Sequence, residues 1–214
     1  MQLDPTNLSS NDGYKLLIGC VVPRPIAWVS TLGLDGVRNL APFSFFMGAA
    51  GRPPTVAFSS ALRGMDGGGQ VQAGVYKDTV NNILALGQFV VNTVDEELAE
   101  AMNQTSAEVP PEVDEFSLAG VTPAPSLRVR PPRVAEAPVA MECELVQTLP
   151  VGEDGHMLVI GKVVLFHLRE GLYDPVTGRV DQSKLGHVAR MAGHRYARTR
   201  DQFELRRPET DYVG

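Results

Sequence analysis

From Val139 to Leu149 apolar and charged residues alternate. Val139, Met141, Cys143 and Leu145 fall on one face, and Glu142 and Glu144 on the other. Gly152 to Gly155 then supplies a turn, and Met157 to Leu168 reads as a second long strand with Gly161 at its centre, where a bulge or bend is expected. A hairpin of this length commits the chain to an antiparallel sheet. The rest of the sequence agrees. Residues 26–31 form a short apolar run with β-branched side chains, Gly33 to Gly36 a turn, and Val37 to Ala41 a returning strand. Thr55 to Ser59 and Gln88 to Val94 are further strands. No strand–helix rhythm recurs, and no Gly-x-Gly-x-x-Gly joins a strand to a helix, so a doubly wound dinucleotide fold is excluded. The expectation is a mainly β fold, a barrel with a few short helices, over one domain spanning 1–214.

Helical signals are brief. Asp78 to Leu86 places Val80, Ile83, Leu84 and Gly87 near one face, with Asp78 or Thr79 to cap it. Thr93 and Glu96 form a capping-box pattern before Leu98, Ala101 and Met102. Ser106 to Pro138 is too rich in proline for a long helix. It reads as a linker or, given Phe116, Leu118 and Val121, as a segment pinned to the body. Residues 64–74 carry five glycines and read as a mobile loop.

Charge and cysteines narrow the function classes. A net charge of −6 argues against nucleic acid or an anionic membrane as partner. The arginines between Arg190 and Arg207 read as a solvated or dimer-facing patch. Cys20 and Cys143 share no metal or redox spacing and are expected to be buried thiols. The four histidines show no ligand spacing, so no metal site is expected. The amino terminus lacks the basic lead and apolar core of a signal peptide, and no run is long enough to span a bilayer, so a cytoplasmic protein is expected.

Two segments carry candidate chemistry. Lys77-Asp78-Thr79 sets a lysine and a hydroxyl at a helix start, where free N–H groups and the dipole favour a phosphate; it also reads as an ordinary exposed helix start. In Asn39-Leu40-Ala41-Pro42-Phe43-Ser44-Phe45, Pro42 is expected to force the backbone off the ladder. Released N–H and C=O groups suit the edge of a flat heteroaromatic ring, or the segment is a strand end leading into core aromatics. The hydroxyls of Ser30, Thr31, Ser59 and Ser60 can grip ribityl or phosphate oxygens or cap turns. Arg63 can add charge there or face solvent.

Taken in order, Pro23-Arg24-Pro25-Ile26-Ala27, Ser30-Thr31, Asn39 to Ser44, Pro53-Pro54, Ser59, Lys77-Asp78-Thr79 with Asn82-Ile83, and Phe89-Val90-Val91-Asn92 resemble the flavin reductase-like, FMN-binding split-barrel family, in its flavoredoxin-type branch. Arg190-Met191-Ala192-Gly193 and Tyr196 extend the likeness, which runs from about Gly19 to Phe203. The resemblance implies a split barrel holding FMN near a homodimer boundary. It implies Lys77, Thr79, Ser59 and Ser60 toward the phosphate, with Arg63 beside them. Ala41, Pro42, Phe43, Ser44 and Phe45 would run along the ring, next to Thr31 and Asn39. It further implies hydride transfer from NADH or NADPH to the flavin and onward to an electron acceptor, with a non-catalytic FMN carrier or store as the alternative. No general acid or base is required. His194 and Tyr196 are candidates for the nicotinamide side, or are solvated and core-packed respectively.

Overall fold

A computed structural model describes residues 1–63 and 75–208. The glycine-rich stretch 64–74, read above as a mobile loop, lies outside the described residues. One antiparallel sheet organises the chain. Its strands are β1 (Ala27–Leu32), β2 (Arg38–Phe43), β3 (Phe46–Gly51), β4 (Pro54–Ser60) and β5 (Gln88–Asn92), with two long strands from the hairpin described below. Helix α1 (Ser10–Cys20) precedes them, α2 (Asp78–Leu86) leads into β5, and α3 (Ala99–Gln104) and α4 (Glu115–Ala119) follow it. The short ladder of β6 (Pro123–Ala124) and β7 (Arg133–Val134) comes next, and then the hairpin of β8 (Val139–Val151) and β9 (His156–Leu168). Two small ladders close the chain: β10 (Tyr173–Asp174) with β11 (Arg179–Val180), and β12 (Val188–Arg190) with β13 (Tyr196–Arg198). The main sheet runs β2-β1-β5-β8-β9-β4-β3.

The sheet curls because its two ends share a core. Phe43 of β2 lies 4.8 Å, ring to ring, from Phe58 of β4, and Phe58 meets Phe89 of β5 edge-on at 5.8 Å. Val80 and Ile83 of α2 complete this interior with Val29, Val91, Cys143 and Val159. A second apolar cluster covers the outside of β1 and β2, where Trp28 and Leu40 meet Met102 of α3 and Phe116 of α4. Strand β1 is therefore buried on both faces, which its nearly unbroken apolar run anticipates.

Several expectations need correction. Pro42 does not leave the ladder: it pairs with Trp28, and the register continues to Ala27 opposite Phe43. Among the described residues strand β2 pairs with β1 alone, and an edge strand tolerates a residue without an N–H. Neither Asp78 nor Thr79 caps α2, whose N-cap position is Lys77 and which has no side-chain cap hydrogen bond. Leu84 is exposed. The Thr93–Glu96 capping box is not formed; Asp95 Oδ1 accepts from the Leu98 amide instead. Cys143 is buried as expected, but Cys20 is exposed. Leu118 is also exposed, while Phe116 and Val121 do pin the proline-rich segment.

Glu142, on the charged face of the alternation with Glu144, is fully buried. Its carboxylate accepts from the amides of Leu127, Arg128 and Val129 at 2.8, 2.6 and 3.0 Å and pairs with His167 at 2.5 Å. The proline-rich segment thus folds over that face of β8 and uses Glu142 as its anchor. The Gly161 expectation holds in a specific form. The ladder of β8 and β9 shifts register between Leu145 and Gln147, opposite Gly161 and Ile160. A Cβ at Gly161 would lie 2.3 Å from Phe89 Cζ. The glycine makes room for the buried ring at the bend.

Candidate functional site

Strand β2 and the start of α2 meet in a cleft of about 110 Å³. Its walls carry Asn39, Ala41, Pro42 and Phe43 from β2, and Lys77, Asp78 and Thr79 from α2. Arg63, Glu115 and the segment 105–109 complete it. Two sequence-distant candidates, the 39–43 stretch and Lys77-Asp78-Thr79, are therefore one place in space. The physical reason is the interior seat of α2, where Val80 and Ile83 pack among the barrel residues and fix the helix start against β2.

Asn39 is the polar hub. Its Oδ1 accepts from Thr79 Oγ1 at 2.8 Å and from Thr31 Oγ1 at 3.1 Å. Its Nδ2 donates to Glu115 Oε2, which also accepts from the Leu40 amide at 2.6 Å. Thr31 in turn accepts from Asn82 Nδ2 at 3.0 Å. Thr31 is fully buried, so it stands behind Asn39 and orients it. Arg63 pairs with Asp78 and donates to the Val109 carbonyl at 3.3 Å, which brings a second cation to the helix start beside Lys77.

A second hollow of about 110 Å³ shares Pro42 and Ser106 with the first and adds Ser44, Ile26, Met102, Arg190 and Tyr196. The two hollows follow β2 and its continuation. Arg190 lies over the Tyr196 ring, 4.7 Å from its centroid, and the Tyr196 hydroxyl donates to Asn103 at 3.2 Å. Tyr196 is not core-packed, and His194 is exposed and lines neither hollow. Ser59 and Phe45 line a different, mainly apolar hollow of about 370 Å³ with Arg24, Met47 and Leu158. Ser60 is buried and donates to the Ala61 carbonyl at 3.2 Å. Ser30, also buried, donates to the Pro132 carbonyl at 2.5 Å.

Glu115 was not legible as a site residue. It lies inside the proline-rich stretch, and the one local signal was its neighbour Phe116, whose burial draws α4 onto β2. Burial pushes the Glu115 carboxyl up to about 7; the charges of Asp78 and Asp114 push the same way, while the Leu40 amide and Arg63 oppose them. The arginine-rich tail is partly engaged within its own chain: Arg198 and Arg200 both pair with Glu96, at 2.6 and 2.7 Å.

This curled sheet, with its cleft along an edge strand and cations at one end, is a split barrel of the flavin reductase type. The flavin reductase like domain matches residues 18–189, and the chain belongs to that family. Nitrilotriacetate monooxygenase component B from Bacillus cereus is 39% identical, with a TM-score of 0.87 over 96% of this chain and 98% of its own. The Pseudomonas fluorescens 2-nitrobenzoate 2-nitroreductase is 31% identical, with a TM-score of 0.86 over 97% and 96%. A Shewanella frigidimarina structure described as a flavin reductase with split barrel domain shares the fold, at 20% identity and a TM-score of 0.80 over 98% and 100%. Among the described residues, no helix is long and apolar enough to cross a membrane.

Proposed function

We propose that the chain is an FMN-binding oxidoreductase that takes hydride from NADH or NADPH and passes electrons to a separate acceptor. The observation that carries this reading is the run of two hollows along β2 that share Pro42 and Ser106, with Lys77 and Arg63 at the α2 end and Arg190 and Tyr196 at the other. The donor set suits the cofactor. Lys77, Arg63 and Thr79 stand at a helix start with no side-chain cap, which fits a phosphate dianion. The apolar and backbone surface from Ala41 to Ser44 fits a flat ring.

Bound FMN would supply the hydride-accepting chemistry. The residues of this chain do the holding. Lys77 and Arg63 neutralise the phosphate. Thr31, Thr79 and Glu115 fix Asn39 in one orientation, so that its amide presents a set geometry to the ligand. Phe43, packed on Phe58, gives that stretch of β2 a rigid floor. Tyr196 and Arg190 border the open end, where a nicotinamide would approach. No proton-transfer residue is needed for hydride transfer itself. The relatives support the class: one is named as a component of a monooxygenase, which fits delivery to a partner enzyme, and another as a nitroreductase. We further propose a homodimer, because the outermost strand β3 is exposed from Met47 to Gly51 beside the exposed Leu17 and Val21 of the α1 region.

Anaerobic stopped-flow mixing of the FMN-loaded protein with NADH and with NADPH tests the activity. Loss of the visible flavin band with at least one of them is expected. FMN bound without bleaching by either would overturn the reductase reading in favour of a carrier.

A further inference from the structure

The buried carboxylate of Glu115 has no role in hydride transfer, yet it sits in the wall of the Lys77–Arg63 end of the cleft. It is 4% exposed and shares that cavity with both cations, Arg63 and Lys77. One of its oxygens, Oε2, accepts from the Leu40 amide and from Asn39 Nδ2. Both bonds have the side chain as acceptor, so a neutral carboxyl or a glutamine can keep them. A second acidic layer lies close by: Asp78 is paired with Arg63, Asp114 with Arg38, and Glu108 lines the same cavity. The cavity therefore holds two cations among several carboxylates. Burial pushes the Glu115 carboxyl up to about 7.

We propose that Glu115 is a proton-linked gate on anion binding at this site: a phosphate group enters the Lys77–Arg63 end as Glu115 takes up a proton. The proposal rests on the FMN reading above. The physics is like-charge repulsion. A bound dianion raises the free energy of a nearby buried carboxylate, whose proton affinity must then rise. By linkage the anion binds more tightly to the protonated form. The sign follows. Burial pushes the Glu115 carboxyl up to about 7, and a bound dianion would push it further in the same direction. Affinity is full below pH 7 and falls as the pH rises above it, by up to about tenfold per unit while one proton is linked. The phosphate's own second ionisation, with a pKa of about 6, is complete over most of that window and does not mimic the effect.

The experiment is FMN titration by fluorescence between pH 6.5 and 8.5 on the full chain and on Glu115→Gln, with calorimetry at pH 7.5 in two buffers of different ionisation enthalpy. The wild type is expected to lose roughly tenfold or more in affinity across the range and to take up a proton on binding. Glu115→Gln, isosteric with the neutral acid, is expected to bind at pH 8.5 about as tightly as the wild type at pH 6.5, with no proton uptake. Riboflavin, which lacks the phosphate, should show no such slope with the wild type. A pH-independent wild type, a variant that falls in parallel with it, or an equal slope for riboflavin would overturn the gate while leaving FMN binding intact. A Glu115→Gln variant that fails to bind while the wild type binds would also overturn the gate, whereas failure of the wild type to bind FMN at any pH would instead overturn the cofactor reading on which the gate rests.

Discussion

Replacing Glu142 by glutamine tests how the proline-rich segment is held. The carboxylate is fully buried and serves four partners: Leu127 N and His167 Nε2 at Oε1, and Arg128 N and Val129 N at Oε2. A glutamine keeps one acceptor oxygen. Placed at the Oε2 position, it retains the Arg128 and Val129 bonds but turns an NH2 toward the Leu127 amide. The Leu127 bond is lost outright, about 1.5–3 kcal/mol, the His167 contact survives only if the ring nitrogen turns acceptor to the new NH2, and the two bonds at the retained oxygen weaken. Removing one member of a buried charged network costs about 3–5 kcal/mol as an upper guide. The expected loss is about 2–4 kcal/mol, a large share of a stability on the order of 5–15 kcal/mol.

The pH dependence supplies an independent check. Burial pulls the Glu142 carboxyl upward, but its bonds from His167 and the three amides together hold it below its ordinary 4.5. Its stabilisation is therefore present above pH 4.5 and is lost as the pH falls through the folded-state value. Glu142→Gln should lack that acid-dependent component. Urea unfolding at pH 7 and pH 4, with limited proteolysis to locate the first cleavage, measures both. Cleavage is expected to move into 123–134 in the variant. A change below about 0.5 kcal/mol at pH 7, the scale of an ordinary surface substitution, would refute the anchoring argument.

Other outcomes follow from the same geometry. Lys77→Ala should weaken FMN about ten- to a hundredfold, from the loss of one charge-assisted bond, with less effect on riboflavin; equal FMN titration curves would remove Lys77 from the phosphate site. Gly161→Ala should cost about 1–3 kcal/mol in urea unfolding, because its Cβ would meet the Phe89 ring at 2.3 Å and Cys143 Cβ at 3.3 Å inside the core. A neutral result there would mean that Phe89 has room to move. Light scattering at micromolar protein should report a dimer, and Met47→Asp on the exposed outer strand should shift it toward monomer.

The strand pattern of this chain determined most of its fold. Alternation in 139–149, the turn at 152–155 and the β-branched run at 26–31 are local signals, and each became the expected element. The ordered motifs likewise pointed to the family that the domain match shows. What local pattern could not decide was which residues face one another across the barrel. Glu142 reads only as a charge on the face opposite the apolar residues, because nothing nearby in sequence says that residues 127–129 will cover it. Pro42 reads as a ladder breaker because edge position is a property of the sheet, not of the tripeptide. Thr31 and Ser60 read as hydroxyls that grip a ligand or cap a turn, and the packing of neighbouring strands buries both. Glu115 could be assigned to the cleft only once Phe116 had drawn its short helix onto β2, 75 residues away in sequence from the amide that Glu115 accepts. Burial and long-range hydrogen bonding set the chemistry of a carboxylate, and both are decided when distant segments meet.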